Sequence, residues 1–238
     1  MKIDRYKSNS KTSYALGATL AFELIKTAPN LLRRVFLSPS LDRGSEDIQE
    51  ILSFCKENHI ETIESSKPFN ILSPKGNTFV IAEFEKSQAE LSPDNNHIVL
   101  VNPSDAGNIG TIIRSAAGFG YEDLAIINPA VDVFNPKSIR ASMGAVFHIR
   151  ARYYDSIDDY VKAFPTHHRY AFMLRNATDF SKTTVEAPFS FIFGNESSGL
   201  PDDFADFCTS VKIPQSNNID SLSLPMAATL AMYLHRQV

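Results

Sequence analysis

The loop that follows an apolar run near residue 100 carries side chains that could hold a polar ligand. It reads DAGNIGTIIR from Asp105 to Arg114, with Gly107 and Gly110 on either side of Asn108. Asn108 offers a hydrogen-bond donor and an acceptor, and Arg114 presents a planar fork of donors that suits phosphate or carboxylate. The spacing is not the GxGxxG of a dinucleotide site, and a P-loop lysine is missing. The loop therefore fits either a polar ligand site or an ordinary strand–helix turn with a capping Asn and a surface Arg.

Two further loops combine turn residues with polar side chains. The stretch FIFGNESSGL, residues 191–200, places Asn195 and Glu196 directly after an apolar run. The stretch IPQSNNIDSLSLPMAA, residues 213–228, is a polar loop that ends near Ser221 and leads into small residues. A Ser before a helix is an ordinary N-cap, so Ser221 taken alone indicates only a helix start.

Several common catalytic arrangements are missing from the sequence. It contains no GxSxG, no HExxH and no paired CxxC, so neither a hydrolase triad nor a metal site is indicated. A Rossmann-type nucleotide enzyme would need a GxGxxG and an acidic residue about 20 positions later, and neither feature is present. The histidines beyond residue 140 all lie outside the three loops: His148, His167, His168 and His235.

Beyond residue 96 the sequence alternates between apolar strands and helices. Continuous apolar strands separated by helices indicate a parallel sheet that is covered on both faces. Ligands bind beyond the carboxyl ends of the strands in such sheets, which is where all three loops would lie. The predicted strands are HIVLVN, LAIINP, RYAFML, FSFIFG and SVKIP, and the predicted helices are TIIRSAAGFG, PKSIRASMGAVF and LSLPMAATLAMYLHR.

The first third of the chain predicts a smaller α/β domain. Residues 12–27 are apolar on most faces and predict a largely buried helix. Residues 34–38 and 77–85 predict strands. The polar segment 86–96 predicts a linker, so we expect domains over residues 1–90 and 91–238. Between the two strands, Ser45 starts an amphipathic helix whose apolar face holds Ile48, Ile51, Leu52 and Cys55.

Composition places the chain among soluble globular proteins. It has 238 residues, a formal net charge of −4 and two widely separated cysteines, and no apolar run is long enough for a membrane span. The N-terminus lacks the apolar core of a signal peptide, so we expect a cytoplasmic protein with reduced thiols. Neither half is basic, and any nucleic-acid surface must therefore be local. The cations that could form one are Lys2, Arg5, Lys7 and Lys11, Arg33 and Arg34, and Lys137, Arg140, Arg150 and Arg152.

Taken in order, the three loops resemble motifs 1, 2 and 3 of the SpoU/TrmH-like RNA ribose 2′-O-methyltransferases of the SPOUT superfamily. The small-residue stretch 141–147 also resembles the family segment between motifs 1 and 2. The resemblance covers about residues 97–238, and one position departs from it, because Ser223 stands where motif 3 has Asn. The matching residues are Asn108, Gly110 and Arg114 for motif 1, Gly194, Asn195, Glu196, Gly199 and Leu200 for motif 2, and Ile213, Pro214, Ser221 and Leu222 for motif 3.

The resemblance implies a mainly parallel sheet flanked by helices, with a C-terminal trefoil knot that binds S-adenosylmethionine. Gly194, Ile213 and Leu222 would hold this cofactor. Arg114 would act on the ribose 2′-hydroxyl, with Asn108, Glu196 and Ser221 in the same catalytic cluster. A guanidinium stays charged, so we expect Arg114 to bind a phosphate and stabilise the developing alkoxide rather than to accept the proton.

The resemblance also implies partners. The enzyme would be a homodimer in which Arg114 serves the neighbouring subunit's cofactor, without a metal and without a membrane. The first domain would bind the RNA substrate, with ribosomal RNA expected before transfer RNA. The alternative is an RNA-binding protein of methyltransferase descent that no longer methylates, and Ser223 is the residue that keeps this alternative open.

Overall fold

The structure is a computed structural model that describes residue 3 and residues 5–74, 76–216 and 218–238. It divides the chain into two compact units. Unit 1 comprises Met1–Ser87 together with Asp132–His148, and unit 2 comprises Gln88–Val131 together with Ile149–Val238. The sequence predicted a single division near residue 90. The structure differs from it, because a segment of the expected second domain belongs to unit 1.

Unit 1 is built on a four-stranded sheet in the order β1-β4-β2-β3. Strand β4 pairs antiparallel with both β1 and β2, and β3 pairs parallel with β2. The elements are β1 (Thr12–Leu16), α1 (Ala18–Thr27), β2 (Leu32–Leu37), α2 (Glu46–Glu57), β3 (Glu61–Glu64), α3 (Lys67–Leu72), β4 (Val80–Glu85) and α5 (Pro136–Ala141), with short 3-10 turns at Pro29–Leu31 and Ala145–His148.

The prediction of one helix over residues 12–27 is wrong. Thr12–Leu16 forms β1, and Gly17, with φ at 119°, separates it from α1. An apolar run without a clear period fits a buried strand as well as a buried helix, and here pairing with β4 decides for the strand. Helix α2 begins after Ser45 as predicted, although the Ser45 side chain makes no capping hydrogen bond.

The segment Asp132–His148 completes the core of unit 1. The Phe84 ring meets Phe134 edge-on at 5.7 Å and Phe147 at 5.2 Å, measured between ring centroids. The Ser13 hydroxyl donates to the Phe134 carbonyl, and the Tyr6 hydroxyl donates to Asp132 at 2.6 Å. Aromatic burial of this kind is the reason that the segment folds with unit 1, since each ring removes a large apolar area from water.

Unit 2 is a seven-stranded sheet in the order β7-β6-β5-β10-β8-β11-β9, and every pair of neighbouring strands is parallel. The predicted parallel α/β fold is therefore confirmed. The elements are β5 (His97–Val101), α4 (Ala106–Gly118), β6 (Asp123–Ile127), β7 (Arg150–Tyr154), α6 (Ile157–Ala163), β8 (His168–Phe172), β9 (Thr178–Asp179), β10 (Phe189–Phe193), β11 (Thr209–Lys212) and α7 (Leu224–Leu234), with 3-10 turns at Phe180–Lys182 and Asp202–Asp206.

The central strands of unit 2 are buried on both faces, as their continuous apolar sequence predicted. All five residues of β5, β6 and β10 are buried. Because β5 and β10 are neighbours, the loops after Val101 and Phe193 leave the same edge of the sheet side by side. The loop after β11 leaves that edge two strands further along. None of the helices within the described residues is long and apolar enough to cross a membrane.

Candidate functional site

A cavity of about 470 Å³ lies in unit 2 where β10 and β11 end. Its volume is in the range of small-molecule sites. Of the predicted cofactor residues, Gly194, Ile213 and Leu222 all line it, and of the predicted catalytic residues, Glu196 and Ser221 line it too. Sequence reasoning therefore placed five of its site residues at one cavity.

The loop after β10 is held in a tight turn by its own side chains. Asn195 Nδ2 donates to the Asn102 carbonyl at 2.8 Å, and Asn195 Oδ1 accepts from the Ser197 backbone N–H at 2.9 Å. Gly199 closes the turn with a φ of 68°, a backbone conformation that favours glycine. A Cβ at Gly194 would overlap backbone atoms of Gly199 and Leu200, so only glycine fits there.

The Glu196 carboxylate joins this turn to the loop after β5. One oxygen, Oε2, accepts from the Ser104 backbone N–H at 3.1 Å and from the Ser104 hydroxyl at 2.8 Å. The other, Oε1, accepts from the Asp105 N–H at 3.1 Å and from Asn108 Nδ2 at 3.2 Å. We call this arrangement the Glu196 clasp. It fixes the start of α4 to the end of β10.

The protonation state of Glu196 follows from these contacts. Partial burial alone would raise the pKa of its carboxyl group. The hydrogen bonds from its own backbone N–H, the Ser104 hydroxyl and N–H, and the Asp105 N–H outweigh burial and lower the pKa below the ordinary value. Glu196 is therefore ionised at neutral pH, and it acts as an acceptor at the cavity wall.

Asp105 caps α4, a role that one of the two interpretations of this loop gave to Asn108. Asp105 Oδ1 accepts from the Gly107 N–H at 2.7 Å and from the Asn108 N–H at 2.8 Å. An acidic side chain at this position also suits the positive end of the helix dipole. An Asp directly before a helix is a standard N-terminal signal, so the sequence contained the information. Because Asp105 caps the helix, the Asn108 side chain can donate to Glu196 instead.

Arg114 lies away from this cluster. It is exposed on α4 and does not line the cavity, and its side chain makes no hydrogen bond or ion pair with any residue that the structure describes. Six helical positions separate it from Asn108, a rotation of about 240° and a rise of about 9 Å. The structure thus brings Asn108 to Glu196 but leaves Arg114 on another face of the same helix.

The third loop forms another part of the cavity wall. Gln215, which sequence reasoning missed, spans this loop: its Oε1 accepts from the Leu222 N–H at 3.2 Å and its Nε2 donates to the Asp220 carbonyl at 3.1 Å. Ser221 is exposed and forms no hydrogen bond within the described part of the chain. Ser223, rather than Ser221, is the N-cap residue of α7, although its side chain makes no capping hydrogen bond.

The cavity also has charged residues at its wall that the sequence did not single out. Arg175, Asp202 and Lys212 line it together with apolar side chains such as Phe172 and Leu224. Among the described residues, no cluster of His, Cys, Asp and Glu could hold a metal ion. The cavity therefore combines apolar side chains, a glycine-containing turn and charged side chains of both signs, among them the ionised Glu196.

Comparison with known proteins agrees with the motif order. The family model described as the SpoU rRNA Methylase family matches residues 95–233. The chain is 31% identical over 144 residues to the 23S rRNA (uridine(2479)-2′-O)-methyltransferase of Streptomyces viridochromogenes, covering 57% of this chain and 50% of that protein. The chain spans only 26% and 50% of the length of the first two curated relatives it matches.

Two solved structures are similar in fold. An AdoMet-bound rRNA methyltransferase from Sinorhizobium meliloti superposes with a TM-score of 0.82 at 21% identity, covering 94% of this chain and 86% of that one. A structure concerned with 2′-OH methylation of C/U34 on tRNA gives a TM-score of 0.56 at 30% identity, covering 60% of this chain and 95% of that one. The first likeness extends over both units of the chain and supports their fold.

Proposed function

Because the chain belongs to the SpoU rRNA methylase family, we propose that it transfers a methyl group from S-adenosylmethionine to a ribose 2′-hydroxyl of RNA. The observation that carries the proposal is that the second and third motif loops line one cavity beyond the carboxyl ends of parallel strands, while the first motif loop is bonded to Glu196 at its wall. This is where open α/β sheets bind their ligands. The C-terminal trefoil knot stays a prediction from the same resemblance.

The residues at the cavity fit the cofactor. Gly194 lines the cavity with backbone atoms only, and its missing Cβ leaves room for the Gly199 backbone, while Ile213 and Leu222 offer apolar surface for the adenosine. The cofactor would supply an electrophilic methyl group on a sulfonium. The chain would hold this group in line with the attacking oxygen, and positioning of this kind contributes up to about 7–11 kcal/mol to lowering a barrier.

The Glu196 clasp indicates different roles for the residues of the catalytic cluster. Both Glu196 oxygens are occupied by donors from the loop after β5, so we assign Glu196 as a positioning residue rather than a base. Asn108 is held in the same clasp. Arg114 would bind an RNA phosphate and stabilise the developing alkoxide, since a guanidinium has five donors and does not lose its proton in proteins. Another acceptor or a water would take the hydroxyl proton, and the demethylated thioether of the cofactor would be the leaving group.

A second copy of the chain would bring Arg114 to the cavity. Arg114 is exposed and outside the cavity lining of its own chain. Helix α7, which packs on α4, exposes Met226, Tyr233 and Leu234 at about half of their surface. An apolar helix face of this kind suits an isologous contact between two copies. We therefore infer a homodimer with composite sites.

The substrate would be ribosomal RNA first and transfer RNA second, in the cytoplasm, where the free thiols Cys55 and Cys208 stay reduced. A 2′-hydroxyl acceptor requires RNA rather than DNA, and loops or bulges present a ribose accessibly. The alternative, an RNA binder without transferase activity, rests on Ser223 in place of the family Asn.

The proposal is tested by calorimetric titration with S-adenosylmethionine and by methyl transfer to total ribosomal and transfer RNA. We expect one cofactor site per chain. Arg114→Ala should lower the transfer rate by about 10²–10³-fold, the usual loss for one charge-stabilising donor, and should leave cofactor affinity within about twofold. Equal loss of binding and transfer would contradict the role of Arg114. A folded protein that binds no cofactor would favour the alternative.

The composite site has its own test, in which two inactive variants are mixed. Arg114→Ala keeps the cavity, and Leu222→Trp fills it but keeps Arg114. If each site combines one chain's cavity with the partner's Arg114, a mixture allowed to exchange subunits should recover about one quarter of wild-type activity, because half of the dimers have one complete site. No recovery, in dimers that do exchange, would contradict the composite site.

A further inference from the structure

Four of the ten cations that the sequence offered for RNA binding are neutralised by ion pairs. In unit 2, Arg150 forms a pair with Asp123 at 2.7 Å, and Arg152 forms one with Glu90. Lys2 lies outside the described residues. In unit 1, three arginines are paired in the same way: Arg33 with Glu85, Arg34 with Glu83, and Arg43 with Glu64.

One group of cations in unit 1 has a different environment. The segment RYKSNSK, residues 5–11, contains three cations and no acidic residue. Arg5, Lys7 and Lys11 are all exposed, and none forms an ion pair with a residue that the structure describes. The segment is held in place by its other groups, since the Ser8 carbonyl accepts from Lys86 Nζ at 2.6 Å.

A second segment without acidic residues lies beside the first. Residues 133–148 contain no Asp or Glu, and Asp132 just before them is already bonded to Lys86 at 2.7 Å and to the Tyr6 hydroxyl. Helix α5 of this segment packs against β1 and keeps Arg140 exposed. Arg140 likewise has no ion pair within the described residues.

The two segments come together through specific contacts. The bond from Tyr6 to Asp132, and the bond from Ser13 to the Phe134 carbonyl, tie the N-terminal segment to the start of the second one. Cations that form no ion pair within the described residues create a locally positive potential, even on a chain whose net charge is −4. The neutral residues Ser8, Asn9 and Ser10, between the cations, are suitable donors to phosphate oxygens.

We propose that Arg5, Lys7, Lys11 and Arg140 form a surface of unit 1 that binds the sugar–phosphate backbone of RNA. We call it the Arg5–Arg140 surface. It deepens the proposed function, on which it rests, by assigning substrate contact to two segments that are far apart in sequence. Contacts of this type set affinity and orientation without reading the bases.

The experiment compares variants of equal charge in the full-length protein. The test variant combines Arg5→Gln, Lys7→Gln and Lys11→Gln. The control combines Arg43→Gln, Lys56→Gln and Lys67→Gln, three exposed cations of unit 1, of which Arg43 is ion-paired and Lys56 lies on a helix rich in acidic residues. The single variants Arg140→Gln and Arg43→Gln form a second matched pair. The probe is a fluorescein-labelled single-stranded RNA of 20 mixed nucleotides, titrated over a range of KCl concentrations.

The test triple variant should weaken RNA binding at least about tenfold at low salt and should reduce the slope of log K against log[KCl] by about 2, since each lost phosphate contact removes about 0.7. Arg140→Gln should reduce the slope by about 0.7. The controls should bind like the wild type. Equal weakening by test and control variants would overturn the surface, because net charge alone would then explain it.

Cofactor titration separates this inference from the proposed function. If the wild type binds S-adenosylmethionine and methylates RNA but the test variants bind RNA normally, the surface is wrong and the function stands. If the wild type binds RNA through the surface but takes no cofactor, the surface stands and the methyltransferase proposal fails. A wild type that does not bind the RNA at any salt concentration overturns the surface.

Discussion

Replacing Glu196 with Gln is the sharpest perturbation of the candidate site, since it changes charge and donor pattern but not shape. The carboxylate accepts five hydrogen bonds, three at Oε2 and two at Oε1. Three of the donors are the Ser104 N–H, the Asp105 N–H and Asn108 Nδ2. The two backbone N–H groups can only donate a hydrogen bond. Asn108 could accept one only if its side-chain amide turned over. A Gln side chain has one oxygen and one NH₂ group, so one side of the Glu196 clasp must oppose donor to donor.

The expected cost follows from the number of bonds affected. A hydrogen bond to an ionised group contributes about 1.5–3 kcal/mol. At least one such bond is lost in Glu196→Gln, and the bonds that remain are neutral and roughly half as strong. Because Glu196 is only half-buried and water can replace part of the loss, we expect a decrease of about 3 kcal/mol in the free energy of unfolding.

Urea unfolding at pH 7 measures this decrease, with Asp202→Asn as the matched control. Asp202 lines the same cavity and loses the same charge, but it forms no hydrogen bond through its side chain within the described part of the chain. We expect the control to stay within about 0.5 kcal/mol of the wild type. If Glu196→Gln also stayed within that margin, the Glu196 clasp would not hold the two loops together, and its role as a positioning residue would be refuted.

Two further predictions concern the turn after β10 and the buried histidines. Gly194→Ala should cost at least about 2 kcal/mol of stability and most of the cofactor affinity, because the new Cβ overlaps the Gly199 backbone, whereas Gly118→Ala on α4, with open space around it, should be neutral or slightly stabilising. Burial lowers the pKa of His97 to about 4, so the native state resists a proton that the unfolded chain accepts below about 6.5. The contribution of His97 to the free energy of unfolding should be fully present above pH 6.5, and it should decrease by up to about 3 kcal/mol as the pH drops towards 4. Denaturation curves at several pH values should show this slope in the wild type and a flatter one in His97→Gln, and parallel slopes would contradict the assignment.

The parts of the structure that the sequence predicted are those set by local pattern. The central strands of unit 2 were identifiable because segments such as HIVLV and FSFIF are apolar throughout, as strands buried on both faces are, whereas the less apolar β7 and β9 were not predicted. The positions of the loops followed from the parallel sheet. The resemblance then selected Gly194, Ile213 and Leu222, and all three line the cavity.

The features that the sequence did not predict depend on contacts between distant residues. Thr12–Leu16 became a strand because β4 lies beside it, which no local pattern indicates. The Glu196 carboxylate accepts hydrogen bonds from the loop after β5, and these contacts exist only in the folded chain. The separation of Arg114 from Asn108 could have been predicted, since two residues six positions apart in a helix lie on different faces. The motif spacing specifies residue types and does not by itself include this rotation.

The division of the chain into two units affects the order in which they can fold during synthesis. Unit 1 includes Asp132–His148, so its core lacks Phe134 and Phe147 until residue 148 of the 238-residue chain has been synthesised. Domains generally fold as units during synthesis, the N-terminal one first. Here the core of unit 1 is completed only after Asp132–His148 has been synthesised, and β5 and β6 of unit 2 are synthesised before that. The two units therefore finish folding in an overlapping order, and a fragment that ends near residue 90 would be released without part of its core.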